Sequence, residues 1–389
     1  MYSKLSTNIR PFTVMELLQR GVEFESAGLR VVHFEVGEPD FAVAAPIAAA
    51  AHEAITAGHT KYTAAAGMLT LRERIAEYYA EQQVGVSAEQ IFITSGASGG
   101  LTLLAALLLN PGDELLMPDP SYPCNEVFAR LVGASVSAIP VDASTRFQPT
   151  LQQVKDAWTE RSQGILLASP ANPTGTMIAR ETLAKITDFV RAQAGALILD
   201  EIYQGVTRNA VSYTTALAVT RDIFVLNSFS KFFGMTGWRL GWVVVPLDAA
   251  EHLTKLAQNL FISPNAPAQH AALAAFSDAA MAIHIARNEA FANRAARLAA
   301  GLESLGFKIP IMPDGAFYLY VDISHLGMTS NEFCWRLMQE YQVAVTPGDD
   351  FGQHNANRYV RFAYTTDADS IDLGLQRIAS ALRAWGLQG

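Results

Sequence analysis

The chain is expected to fold as an α/β protein: a large domain on a mostly parallel sheet flanked by helices on both faces, plus a smaller α+β domain. Three observations lead there. Apolar strand-like runs alternate with helical ones from about residue 90 to 245. The texture changes after about residue 285, to a charged, alanine-rich helix and aromatic strands. And 389 residues, 50% hydrophobic and 17% charged, supply more than one ordinary core and argue against disorder.

Residues 42–57 are alanine-rich and read as helix, because Ala is the best helix former. Residues 91–94 read as a strand, followed by a glycine-rich turn and a helix over 101–109. The next strand, 114–117, is followed by Pro118. The strand at 164–168 ends before Ser169-Pro170, and 196–200 follows a helix that includes Phe189 and Val190. Runs at 223–226 and 242–245 complete the set. Such continuous apolar strands belong to a sheet covered on both faces. Ligands of these sheets sit beyond the carboxyl ends of the strands. Ser95 to Ser98, Asn172, Asp200 with Tyr203, and Ser228 to Lys231 all fall there. Later come a helix over 287–305, a strand over 316–321, a helix over 330–341 and a strand over 359–364. The two strands look hairpin-like. The large domain is expected over 45–284. The small domain is expected to combine 1–44 with 285–389.

The net charge of −9 argues against nucleic acid or an anionic membrane as partner. No apolar run approaches the roughly 20 residues of a membrane helix. Residues 1–11 carry no apolar signal core. Cys124 and Cys334 form no metal or redox motif, so a reduced, cytoplasmic setting is expected. The histidines show no ligand spacing, and neither G-x-G-x-x-G nor the P-loop motif occurs, so no metal or classical nucleotide site is expected.

Lys231 carries the most information. It closes Leu226-Asn227-Ser228-Phe229-Ser230-Lys231, and Arg239 follows inside Met235-Thr236-Gly237-Trp238-Arg239. An amine there can form a Schiff base with an aldehyde cofactor, while Ser228, Ser230 and Arg239 hold a phosphate. A solvated lysine in a strand-end loop is the plainer alternative. Gly96-Ala97-Ser98-Gly99-Gly100 fits two chemistries. It matches the G-x-S-x-G elbow of serine hydrolases, with His354 as a late triad partner. It equally suits phosphate binding by backbone N–H groups at a helix N-terminus. The phosphate reading is preferred, because Lys231, Arg239 and Asp200 then gain roles. Ser228 to Lys231 also matches S-x-x-K, but the Lys-Thr-Gly and Ser-Asp-Asn companions are absent.

Asp200 ends an apolar strand and is costly to bury unpaired, so a pyridinium nitrogen is a suitable partner. Tyr203 can donate to a ring oxygen or simply pack in the core. Asn172 can bond the same oxygen or simply make a turn with Pro173. Arg361 has the planar fork that suits a carboxylate. Its residue pattern alone favours an ordinary salt bridge on a strand face.

Taken together, these motifs resemble the class I/II aminotransferases, the fold type I enzymes that use pyridoxal 5′-phosphate (PLP). The similarity runs from about Val32 to Tyr364. It includes Val36 to Phe41, Lys61-Tyr62-Thr63 with Gly67, Pro120-Ser121-Tyr122-Pro123 and Asn172-Pro173-Thr174-Gly175. It continues through Asp200-Glu201-Ile202-Tyr203, Ser228 to Lys231, Met235 to Gly241, Asp314 to Tyr318, and Pro347-Gly348 with Phe351-Gly352. The resemblance implies that Lys231 holds the PLP aldehyde and moves protons. It implies that Asp200 pairs with the ring nitrogen, Asn172 and Tyr203 meet the phenolic oxygen, and Tyr122 stacks on the ring. Ala97, Ser98, Ser228, Ser230 and Arg239 would bind the phosphate, and Tyr62 would reach it from the other subunit of a homodimer. Arg361 would grip the substrate carboxylate beside the Gly37 backbone. Cis peptides are implied at Asp119-Pro120 and Asn172-Pro173.

The expected reaction moves an amino group from an L-amino acid to a 2-oxo acid by ping-pong kinetics. A C–S β-lyase on the same fold is the alternative, and a serine hydrolase using Ser98 is a remote one. A PLP-binding transcription regulator needs an extra N-terminal DNA-binding domain, for which the matches starting near residue 32 leave no room. A loose alignment on Ser263-Pro264 puts Asn259 where one subgroup has an arginine that reads dicarboxylic side chains. That weakens an aspartate-type assignment and leaves the substrate open.

Overall fold

The computed structural model describes residues 2–9, 11–208 and 214–387. Met1, Arg10 and residues 388–389 of the expected small domain, and 209–213 of the large one, lie outside the described residues. The strands are β1 (Val32–His33), β2 (Ile91–Thr94), β3 (Glu114–Asp119), β4 (Ser135–Pro140), β5 (Ser162–Ala168) and β6 (Ala196–Asp200). They continue with β7 (Phe224–Ser228), β8 (Gly241–Val244), β9 (Tyr318–Asp322), β10 (Val343–Ala344), β11 (Thr346–Pro347) and β12 (Tyr359–Ala363). A seven-stranded sheet has the order β2-β8-β7-β6-β5-β3-β4. Only β8 runs against its neighbours. The α/β class with a mostly parallel sheet is thus as expected.

The alternation along each strand explains why the sequence reads as unbroken apolar runs. Leu116, Ile165, Leu167, Leu197, Leu199, Val225, Trp242 and Val244 enter one core on one face. Leu115, Met117, Leu166, Ile198, Leu226 and Val243 enter a second core on the other. Each such side chain contributes about 1.5–3 kcal/mol when fully buried, so neither face tolerates polar alternation. The expected strands start or end within two residues of the observed ones. β4 was not expected: Ser-Val-Ser-Ala-Ile-Pro is a partly exposed edge with little apolar content.

A third core joins Leu17, Val31, Val32 and Phe34 to Phe291, Leu298, Phe333, Leu337, Phe362 and Ile378. The N-terminal helix Thr13–Ser26 packs there together with the long helix Asp278–Ser304. A small antiparallel sheet has the order β11-β12-β9, and β1 pairs with β10 in parallel. β9 and β12 are antiparallel as a hairpin would be, but the helix Ser330–Tyr341 and two short strands lie between them. Their pairing is long-range and set by packing, so no turn signal marks it.

Candidate active site

Six parallel strands end on the same edge of the large sheet, five of them at Thr94, Asp119, Ala168, Asp200 and Ser228. The chain leaves that edge through three cis peptides, Asp119-Pro120, Ser169-Pro170 and Asn172-Pro173.

At the end of β2 the helix Gly96–Leu108 begins. Gly96 has φ +70°, and a Cβ there would stand 2.6 Å from Arg239 Nη2. Gly241 lets the β8 backbone approach the same turn, since a Cβ would come 3.0 Å from Gly96 C and 3.1 Å from Ala97 N. Arg239, itself in the left-handed region at φ +53°, and the first amides of the helix therefore share one small space. Ser228 and Ser230 are buried, and Ser228 Oγ donates to Ser230 Oγ over 3.0 Å. Thr236 Oγ1 donates to the Ser230 carbonyl over 3.1 Å. Ala97 is partly buried, and Ser98 is exposed on the same first turn.

Lys231 Nζ donates to the Gly37 carbonyl over 2.8 Å. Burial lowers its pKa to about 8, aided by the Arg361 and Arg239 charges and opposed by Glu38 and Asp200. Asp200 is 5% exposed, and its Oδ1 accepts from the Ile202 amide over 3.0 Å. Burial raises its carboxyl to about 7, against the pull of that amide and of Lys231. Tyr203 is buried with its hydroxyl 2.8 Å from that of Tyr318. Tyr122 is partly buried and meets Phe12 edge-on, with centroids 6.4 Å apart.

Asn172 Oδ1 accepts from Arg361 Nη1 over 2.9 Å. Arg361 Nη2 donates to the Glu35 carbonyl and to Thr346 Oγ1. Its guanidinium carbon lies 4.3 Å from the Tyr318 ring centre and 4.8 Å from that of Phe351. The salt bridge expected from the residue pattern is not formed: among the described residues no carboxylate pairs with Arg361. β12 turns this side chain into the interior, where neutral oxygens and ring faces hold it and Nε is buried without a partner. A buried cation so held keeps donors for an anionic ligand.

The remaining candidates lie farther out. Tyr62 is 83% exposed, between the helices Ala45–Thr56 and Leu69–Glu81. Asn259 is exposed and bonds the Lys255 carbonyl. The His354 ring pairs with Asn355, and among the described residues Ser98 Oγ makes no hydrogen bond. Sequence reasoning missed Tyr318, Thr346 and Phe351 as site residues. Tyr318 lay inside the quoted Asp314 to Tyr318 run, but nothing local shows that its hydroxyl meets Tyr203.

The donor set suits PLP: buried hydroxyls, an arginine and helix amides beside two glycines form an anion cradle. An amine of lowered pKa and a buried carboxylate short of positive charge complete the fit. An α/β sheet with these groups on one edge defines a PLP-dependent transferase of fold type I. The comparisons agree. The family described as Aminotransferase class I and II matches residues 30–378. This chain belongs to that family and is a PLP-dependent aminotransferase. It is 34% identical to the valine–pyruvate aminotransferase of Mycobacterium tuberculosis, over 97% of this chain and 98% of that protein. It is also 34% identical to the (5-formylfuran-3-yl)methyl phosphate transaminase of Methanocaldococcus jannaschii, over 98% and 100%. Among solved structures, an aminotransferase from Mycobacterium tuberculosis superposes with a TM-score of 0.95 at 33% identity, covering 99% of both chains. The serine hydrolase reading gives way to this family assignment. No described helix is long and apolar enough to cross a membrane.

Proposed function

We propose that this aminotransferase works on an L-amino acid and a 2-oxo acid in two half-reactions at the edge just described, with the roles read from the sequence. The observation that carries the assignment is Lys231, whose Nζ donates to the Gly37 carbonyl over 2.8 Å and whose charge is felt by Asp200 and Arg361, the latter held by Asn172 over 2.9 Å. PLP, when bound, supplies an aldehyde carbon for the amine and a ring that withdraws electrons from the substrate α-carbon. Ala97, Ser98, Ser228, Ser230 and Arg239 hold its phosphate, and Tyr122 covers a ring face. Asp200 keeps the ring nitrogen protonated, while Asn172 and Tyr203 bond the phenolic oxygen. Lys231 Nζ removes the α-proton and later returns a proton. A pKa near 8 suits that work at neutral pH. Arg361 orients the substrate α-carboxylate, with the Gly37 backbone beside it. The first product leaves before the second substrate binds.

The test is the absorbance spectrum of the purified protein with PLP, before and after adding single amino acids. A visible band bleached by a few of them names the donor class. No band would remove the reading. Arg361→Lys should raise KM for amino and oxo acids about 10- to 100-fold with a smaller effect on kcat, because bonds to charged groups contribute about 1.5–3 kcal/mol each. Steady-state kinetics with both substrates varied would show it, and an unchanged KM would count against the assignment.

The proposal includes a homodimer in which Tyr62 reaches the partner's phosphate. Its 83% exposure, with Leu69 54%, Leu260 50% and Ile262 56% exposed, supports a surface to be covered. Mixing Tyr62→Ala and Lys231→Ala subunits should restore activity that neither variant has alone, because one intact site then forms per hybrid. Hybrids as inactive as their parents would exclude a shared site. The third apolar core draws chiefly on residues 17–34 and 291–382, with Tyr203 and Val206 packed against them from the other side, and this supports a small domain of 1–44 with 285–389 against a large domain of 45–284. Two free thiols, Cys124 and Cys334, support a reduced cytoplasmic setting.

A further inference from the structure

Tyr318 has no role in the scheme above, yet its hydroxyl stands between three of the residues that do. It lies 2.8 Å from Tyr203 Oη, and a Cβ on Gly37 would overlap it. Arg361 sits over its ring at 4.3 Å. Both phenols are almost fully buried, Tyr318 at 1% and Tyr203 at 3% exposure. Among the described residues, each hydroxyl has the other as its hydrogen-bond partner.

We infer that Tyr318 is a positioning residue for transamination: its hydroxyl donates to Tyr203 and so turns the single Tyr203 proton toward the phenolic oxygen of the cofactor. The inference rests on the proposed role of Tyr203. A phenol carries one proton and can both donate and accept. Only one proton fits between the two oxygens. If it belonged to Tyr203, that residue would present lone pairs to an anionic oxygen, which repels them. If it belongs to Tyr318, the Tyr203 proton is free for the cofactor, and the chain of two donors strengthens the second bond.

The surroundings favour that direction. The Arg361 guanidinium, 4.3 Å over the Tyr318 ring, is the foremost charge acting on that hydroxyl and makes it the better donor; Tyr203 feels the same cation but also the opposing Asp200 carboxylate, which acts on Tyr203 alone of the two. Burial raises both phenols, so neither ionises in the working range. The other charged or titratable groups facing the pair are Lys231, with Nζ 5.9 Å from the Tyr203 ring centre, Tyr122, and Tyr364 with its Arg208. Gly37 is required because any side chain would displace the Tyr318 hydroxyl. Its carbonyl is already engaged by Lys231. The Arg361 grip, the Tyr318 donor and the Lys231 anchor therefore meet at one point.

The experiment compares wild type, Tyr203→Phe, Tyr318→Phe and the double variant, each saturated with PLP. The visible band is titrated with pH, and the PLP dissociation constant is measured. A weaker donor leaves the phenolic oxygen more basic, so it holds the proton shared with the Lys231 nitrogen more firmly. The band midpoint should therefore rise in Tyr318→Phe by roughly half to one pH unit, the size one hydrogen bond supports. The shift should be smaller than in Tyr203→Phe and of the same sign. The double variant should match Tyr203→Phe alone, because Tyr318 acts only through Tyr203. A Tyr318→Phe midpoint equal to wild type, or shifts that simply add, would overturn the inference while leaving the functional reading intact. A wild-type protein with no visible band would overturn both.

Discussion

Lys231→Ala is expected to lower turnover by about 10⁴-fold, the upper range for losing a positioned general base, and to remove the visible band. The Lys231 amine donates to the Gly37 carbonyl over 2.8 Å and faces the Tyr203 and Phe317 rings at 5.9 and 5.7 Å. Its proton affinity is set by its surroundings. Burial is the main cause, and the Arg361 and Arg239 charges push the same way, to about 8. The charges that act on it are those of Glu38, Arg361, Arg239 and Asp200, with no second lysine among them to take over the amine chemistry. Presteady-state mixing with a donor amino acid would separate binding from proton transfer. A variant that turned over at the wild-type rate would sink the assignment.

Asp200→Asn is expected to split stability from function. In the cofactor-free protein, burial raises the Asp200 carboxyl to about 7 from its ordinary value near 3.8. The folded state therefore keeps a proton that the unfolded state releases. This contribution is fully present below about pH 4 and is lost as pH rises through about 7, a loss on the order of a few kcal/mol. Glu201, raised to about 8 by its own burial, adds a slope of the same sign in both proteins. Asparagine has no proton to lose and keeps an oxygen for the Ile202 amide. The cofactor-free variant should thus outlast wild type in urea above pH 7. With PLP the order reverses. Removing one partner of a buried ion pair costs about 3–5 kcal/mol, so PLP affinity and turnover together should fall roughly 10²- to 10⁴-fold. Equal urea midpoints from pH 5 to 8, or wild-type turnover, would exclude this account.

The α/β class was legible because period-two burial on two faces forces unbroken apolar runs such as Ile165 to Leu167 and Leu197 to Leu199. β4 was not legible, because an edge strand half open to water carries too little apolar content to stand out. The candidate site was legible where its residues are neighbours in sequence. Ser228, Ser230 and Lys231 lie at the end of one strand, and Asp200 and Tyr203 at the end of another. Arg361 was read from its residue pattern as an ordinary salt bridge, and only folding shows that it is buried against Asn172, Thr346 and two rings.

The sequence by itself determined the family, the cofactor and the strand ends that carry the chemistry. These depend on residues within a few positions of one another, and short-range spacing survives in the linear chain. Tertiary structure alone decided the partners. The Tyr203–Tyr318 contact spans 115 positions and the Arg361–Asn172 contact 189. Lys231 meets Gly37 across 194. No local pattern encodes such pairs, because they form only when separate cores pack and exclude water from the groups between them.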